Sequence, residues 1–207
     1  MLRKPYHHGD LRRAILDAAH ELVRRDGAPR VSLRAIARRA GVSPAAPYHH
    51  FTDRDAILAA VAASAFDSLS QAMLEGAAQT RADDPLQNLQ RAGIAYVRFA
   101  VENPELYRLM FSGLLNDRSV YPDLHRAAEA AFDVLQGLLE KTQPGSSGGV
   151  PRSAALTTWS TVHGLAMLLI DGLLEAETKS LGVEEIARGV TGVLGRGLRS
   201  FAAPEAT

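Results

Sequence analysis

An all-α fold of about nine helices is what this sequence predicts, on three observations. Apolar residues recur every three or four positions through most of the chain, with little of the two-residue alternation of strands. Proline and glycine cut the chain into segments of helical length. The 207 residues are 46% apolar, enough for a real core, and include no cysteine, which excludes disulfides, thiolate metal sites and cysteine nucleophiles. The start, Met1-Leu2-Arg3-Lys4-Pro5, is basic with no apolar stretch behind it, so it does not read as a secretory signal. The most apolar run, residues 164–170, is bounded by His163 and Asp171 and is expected to be too short for a bilayer. A soluble, cytoplasmic protein with no membrane partner is therefore expected.

The elements follow in order. Asp10 is a good cap for a first helix, whose inward stripe is Ile15, Ala18, Ala19, Leu22 and Val23 and which stops near Gly27. A short second helix starts after Ser32, shows Leu33, Ile36, Ala37 and Ala40 on one face, and ends at Gly41. Ser43 is expected to cap a third helix, with Pro44 at its first position, where a missing N–H costs nothing. Thr52 is expected to cap a fourth, striped by Ile57, Leu58, Val61, Ala65, Phe66, Leu69 and Met73. Asp84-Pro85 and Asn103-Pro104 are two further cap-then-proline starts. The first opens a helix with Leu89, Ala92, Tyr96, Val97 and Ala100 inward, and the second a short one with Leu106, Leu109 and Met110. Another begins near Pro122 and carries Leu124, Ala128, Ala131, Phe132, Leu135 and Leu139. Residues 144–149, Pro-Gly-Ser-Ser-Gly-Gly, have no core-forming side chain and read as a flexible loop. A helix from Pro151 through Trp159 and a last one over about residues 183–201 complete the count.

The balanced charge, 23 basic against 23 acidic residues, conceals an asymmetry. Residues 1–54 hold eleven arginines and lysines against five acidic residues, and the remainder twelve against eighteen. A basic module joined to an acidic one suggests an anion-binding head on a body with another task, although solvated helix faces give the same count. The expected division is residues 1–55 and residues 56–207.

Residues 32–51 carry the strongest motif, a helix-turn-helix. Ala37 sits where two helices must approach closely, and Gly41 supplies the positive φ of the sharp turn between them. Val42 plugs the angle, while Ile36 and Phe51 anchor the pair on the first helix. Arg34, Arg38 and Arg39 stay on the outer side, available to phosphates. The second helix of such a pair enters the major groove of duplex DNA.

Residues 36–44 (Ile-Ala-Arg-Arg-Ala-Gly-Val-Ser-Pro), then Tyr48-His49-His50-Phe51, then Asp53-Arg54-Asp55-Ala56-Ile57-Leu58, resemble the TetR (tetracycline repressor) family of bacterial regulators. The opening Tyr6-His7-His8-Gly9-Asp10-Leu11-Arg12, and Trp159 followed by His163-Gly164, resemble a subgroup with a tryptophan–histidine–glycine signature. The resemblance implies a homodimer with two N-terminal reading heads and a C-terminal effector-binding and dimerisation domain. Such proteins usually repress from a palindromic operator in double-stranded DNA and let go when a small-molecule effector binds. Carried over by position, Ser43, Tyr48 and His49 would contact phosphates. Arg54 would do so too, where the family commonly has a lysine. Ala45, Ala46 and Pro47 would face base edges, where only apolar readout is open to them. Pro47 also removes a backbone bond to Ser43 and disfavours helical geometry at Ala46. Specificity would then lean on arginines, DNA shape and an N-terminal arm, with Arg3 and Lys4 in a minor groove.

Other residues admit competing readings. His7-His8 and His49-His50 have no acidic neighbour at ligand spacing, so DNA contact or solvation is preferred to metal binding. No nucleophile elbow and no glycine-rich phosphate loop occurs, so neither an enzyme nor a cofactor is expected. Trp159, His163, Met167 and Asp171 recur at a spacing of four, which makes either a satisfied buried pair or a polar anchor in a ligand pocket. Tyr96, Phe99, Met110, Phe111, His125 and Phe132 would line that pocket, or simply form a core. Gly189, Gly192 and Gly195 in the last helix, with Gly164 and Gly172 before it, suggest close approach of helices at a dimer interface. The rival functions are a small-molecule enzyme on a helical bundle and an adaptor whose helix-turn-helix serves protein contacts.

Overall fold

The computed structural model describes residues 8–79, 84–115, 120–142 and 150–202. Among them are nine α-helices and no strand. They are α1 (His8–Asp26), α2 (Leu33–Arg39), α3 (Arg54–Ala78), α4 (Pro85–Glu102), α5 (Pro104–Met110), α6 (Pro122–Thr142), α7 (Arg152–Ile170), α8 (Glu175–Leu181) and α9 (Val183–Ala202). The helix count agrees with the sequence expectation, but its membership does not. The third expected helix is a 3-10 turn, Ala46–His49, and α8 takes its place in the total. The loop expected at residues 144–149 and the basic arm at Arg3 and Lys4 lie outside the described residues.

The chain forms two compact units. The first runs up to Phe66 and includes Asn103–Ala128; the second comprises Asp67–Glu102 and the chain from Glu129 onward. This corrects the division after residue 55. The start of α3 shares the core of the N-terminal unit, and α5, remote in sequence, packs on α1.

In the N-terminal unit the expected stripe of α1 is buried, from Ile15 to Val23, and α1 packs on α2, whose Ile36 and Ala37 are buried as well. Ser32 caps α2 by accepting from the Ala35 N–H at 3.2 Å, which satisfies one of the donors a helix start leaves over. At α3 the cap is Asp53 rather than Thr52: the Asp53 carboxylate accepts from the Ala56 N–H at 2.8 Å. A carboxylate also suits the positive end of the helix dipole better than a hydroxyl does. Tyr107 is fully buried, and its ring and the Phe66 ring pack on Phe111 at 4.9 and 5.4 Å.

In the second unit α4, α7 and α9 pack on one another in all three pairings. Gly93 makes one crossing possible. A Cβ there would lie 2.9 Å from the Thr191 methyl of α9, closer than side chains approach, and 3.4 Å from Val162 of α7. Two helices, α3 and α7, are long and apolar enough to cross a membrane by length and composition alone. The turns of α7 before Gly164 are rich in uncharged alanine and threonine and extend the apolar run. More than half of the apolar stretch of α3 is buried inside the protein, as in an ordinary core helix.

Candidate nucleic-acid interface

The candidate site is the surface of α2 and the turn after it. α2 stops at Ala40, and Gly41 turns the chain with φ of 69°, a left-handed conformation that only glycine adopts freely. The Val42 N–H donates to the Ala37 carbonyl at 3.0 Å and closes the corner. The chain then enters the 3-10 turn, and Pro47 explains its geometry. A proline has no N–H for an α-type bond to Ser43, so Ala46 donates to that carbonyl instead at 3.0 Å. The bonds from Tyr48 to Ala45 and from His50 to Pro47 are likewise of the tighter, three-residue kind. The expected Ser43 cap is therefore displaced: Ala45 occupies the cap position, and no side chain caps the turn.

The tighter winding changes which residues face outward. Ala46 and Pro47, expected at base edges, are buried, which corrects that expectation. Ser43, Ala45, Tyr48 and His49 are exposed, and Tyr48 is 60% exposed, unusual for an aromatic side chain. Arg34 and Arg38 stand exposed on α2. Arg39, grouped with them on sequence grounds, makes a two-point pair with Glu21 of α1, its Nε donating at 2.9 Å. Arg12 of α1, which sequence reasoning passed over, sits 5.3 Å from the centre of the Phe51 ring, a cation–π contact at the end of the turn.

Arg54 departs furthest from expectation. Its Nε donates to the Val31 carbonyl at 2.7 Å and its Nη2 to the Ala28 carbonyl at 2.5 Å, while Nη1 pairs with Asp55 at 3.0 Å. Each nitrogen of the guanidinium has a partner within its own unit. The side chain ties the start of α3 to the segment between α1 and α2. Arg54 is thereby an internal clamp, a role that the phosphate contact expected of it did not include.

The residues expected around an effector divide between the units. Met110 is buried and Phe111 half-buried in the N-terminal unit, and His125 is exposed there, on the start of α6. The second unit holds Tyr96, Phe99, Phe132, Trp159, His163 and Met167. Of these, Tyr96 is buried and the rest half-buried. Asp171 is exposed and follows the last turn of α7, so it leaves the stripe.

Three members of that group form a hydrogen-bonded set. The Trp159 Nε1–H donates to the Tyr96 hydroxyl at 3.3 Å, and that hydroxyl lies 3.2 Å from His163 Nδ1. An indole N–H can only donate, so the hydroxyl accepts from it, and which partner donates between the hydroxyl and Nδ1 follows the tautomer of the ring. Burial pushes the His163 pKa down, which favours the neutral ring. Phe132 packs edge-on against Trp159 at 6.1 Å, and the Trp159 and His163 rings are 5.7 Å apart.

The glycines expected at a dimer interface also separate. Gly172 has φ of 72° and ends α7, so backbone geometry rather than helix approach explains it. A Cβ on Gly192 would lie 3.3 Å from Gln90 Nε2 of α4, and that side chain also donates to the Arg188 carbonyl. Gly164, Gly189 and Gly195 face open space in the single chain.

A helix-turn-helix on an arginine-lined surface, with a separate helical unit attached, defines a DNA-binding regulatory protein. Known proteins agree. Residues 15–61 match the family described as bacterial regulatory proteins, tetR family, and residues 89–191 match a tetracyclin repressor-like C-terminal domain. The chain belongs to the TetR family of transcriptional regulators. A Bacillus subtilis relative, the uncharacterized HTH-type transcriptional regulator YobS, is 32% identical over 99 residues. That match covers 48% of this chain and 50% of the relative, so the chain spans about half the length of the curated relative it matches. A solved protein of unknown function from Rhodococcus sp. RHA1 is 33% identical with a TM-score of 0.76, over 94% of this chain and 98% of that one. The transcriptional regulator FadR from Bacillus subtilis, solved in complex with stearoyl-CoA, shares the fold at 16% identity. Its TM-score is 0.66, over 90% of this chain and 98% of that one.

Proposed function

We propose that the chain acts as a homodimer that grips a near-palindromic operator and releases it when a small molecule binds the second unit. The observation that carries this reading is the reading head itself. The glycine corner presents Ser43, Ala45, Tyr48 and His49 on one exposed turn, with Arg34 and Arg38 beside them. Arg34, Arg38, Ser43, Tyr48 and His49 hold phosphates, and Ala45 alone of the expected base-facing trio remains to touch a base edge. Dimerisation runs through α7 and α9, where Leu156, Leu168 and Val193 are exposed and Gly164, Gly189 and Gly195 leave room for a partner helix.

The effector site is assigned to the second unit around Tyr96, Trp159 and His163, with Phe99, Phe132 and Met167 as apolar surroundings. The Tyr96 hydroxyl and the His163 ring set polar atoms among apolar side chains, which suits a ligand with a polar group on an apolar body. FadR, a protein of this fold, holds stearoyl-CoA. α3 contributes residues to both units, so repacking of its C-terminal half is the natural route of coupling.

Titration of genomic DNA fragments at several salt concentrations tests the DNA part. Affinity should fall steeply with salt and the enriched sites should be palindromic; weak, salt-insensitive binding with no enriched site would refute it. The switch is tested by reciprocity, since an effector that lowers operator affinity must lose affinity by the same factor when operator is present.

A further inference from the structure

One cation of the reading head serves neither the fold nor any contact assigned so far. From Ala40 to Asp53 the chain carries no lysine or arginine, although this stretch includes the turn that exposes Ser43, Ala45, Tyr48 and His49. Arg54, the next cation in sequence, spends its guanidinium on the Val31 and Ala28 carbonyls and on Asp55. The Asp53 carboxylate, one residue earlier, repels a phosphate rather than attracting one. A polyanion laid against this turn therefore needs positive charge from another element.

α1 supplies it. The Arg12 guanidinium carbon lies over the Phe51 ring, 5.3 Å from its centre. The Phe51 N–H donates to the Pro47 carbonyl at 3.0 Å, which keeps Phe51 within about one helical turn of Tyr48 and His49. Phe51 is buried while Arg12 is exposed, so the guanidinium covers the ring from the solvent side.

Other arginines of α1 are engaged differently. Arg13 lies 3.7 Å from Asp17, and Arg25 pairs with Asp26. Among the described residues Arg12 has no carboxylate partner and no side-chain hydrogen bond. Contact with a ring face uses the charge of a guanidinium but none of its N–H donors. The ring also restricts the side chain before any ligand arrives, which lowers the entropy cost of holding a partner.

We propose that Arg12 binds a phosphate of the DNA backbone beside the turn and supplies the cation that Arg54, tied inward, does not. The inference rests on the DNA-binding reading of the helix-turn-helix. A guanidinium presents phosphate oxygens with a planar fork of donors, so it matches them in geometry as well as charge. A backbone contact adds affinity and fixes the head on the duplex without carrying sequence information. Arg12 thus sets how tightly the head holds any duplex, while Ala45 stays the residue that touches a base edge.

Titration of sheared genomic duplex DNA at several salt concentrations tests this, with the full wild-type chain beside Arg12→Gln, Arg12→Lys and Arg24→Gln. Arg12→Gln should weaken binding about tenfold at low salt and reduce the slope of log affinity against log salt by about 0.9 for each head. Arg12→Lys keeps a point charge but loses the fork, so it should restore the slope and only part of the affinity. Arg24 is exposed on the same helix, about 18 Å further along at the rise of an α-helix, and Arg24→Gln should leave both readings at the wild-type level. Arg12→Gln should melt within about 4 °C of wild type, because an exposed cation–π contact adds little to the fold. A lowered melting temperature with an unchanged salt slope would make Arg12 a strut for Phe51 and overturn the phosphate contact. Equal slope losses in Arg12→Gln and Arg24→Gln would overturn it too, since they would report the net charge of the head rather than one contact. A wild-type chain that binds no duplex would remove the DNA-binding reading and this contact with it, whereas wild-type binding with an unaltered slope in Arg12→Gln overturns the contact alone.

Discussion

Arg54→Ala distinguishes a clamp from a phosphate contact. The native guanidinium makes two bonds to backbone carbonyls, at 2.7 and 2.5 Å, and its side chain is 30% exposed. Charge-assisted bonds of this kind are worth about 1.5–3 kcal/mol each, and the residual exposure argues for the low end. The pair therefore contributes about 3 kcal/mol, and the half-exposed Asp55 partner less than about 1. For a chain of this size a loss of about 3 kcal/mol lowers the melting temperature by roughly 6–12 °C. Arg54→Lys keeps the charge but offers one compact head in place of a fork, so it should restore no more than about half of that stability. Denaturant unfolding of the three proteins reads the effect, and DNA titration against salt supplies the contrast. A clamp leaves the slope of affinity against salt unchanged, while loss of a phosphate contact reduces it by about 0.9. Unfolding that is unaltered in Arg54→Ala, together with a shallower salt slope, would refute the clamp.

Three further outcomes follow from the geometry. Ala45→Arg should fold normally and change which bases are preferred. Ala46→Arg forces a cation into a buried position one residue along and should cost at least about 3 kcal/mol, measurable by unfolding and by operator selection. For His163 the sign of the pH effect follows from its lowered pKa. The unfolded chain, with the ordinary value of 6.5, takes up the proton more readily, so stability falls as pH drops from about 7 toward 5. His163→Gln should flatten that slope in pH-dependent unfolding, with a remainder from His20, which shifts the same way. Val193→Asp places a charge on an exposed apolar site of α9 and should weaken the dimer by about tenfold or more in sedimentation; an unaltered dimer would locate the interface elsewhere.

The sequence by itself determined the fold class, the punctuation and the core. Periodic apolar residues settle which face of a helix is buried, because hydrophobic burial follows spacing almost regardless of partner. Every stripe residue of α1, α3 and α4 named from the sequence is buried. Gly41 and Ser32 were legible for a related reason: a positive φ and a cap depend on local geometry. The effect of Pro47 was legible as a missing bond. Only the structure showed how the backbone absorbs it, by winding into a 3-10 turn that buries Ala46 and Pro47. Tertiary structure alone decided the partners of polar side chains. Arg54 and Arg39 look like their exposed neighbours in the sequence, and what distinguishes them is a carbonyl 26 residues away and a carboxylate 18 residues away. The same holds for Tyr96 with His163, 67 residues apart, and for Gly93, whose need for smallness comes from Thr191 and Val162 on other helices. Spacing along one helix reports what that helix hides, but the group that meets a charge or a missing Cβ is fixed by packing across the chain, where local periodicity carries no information.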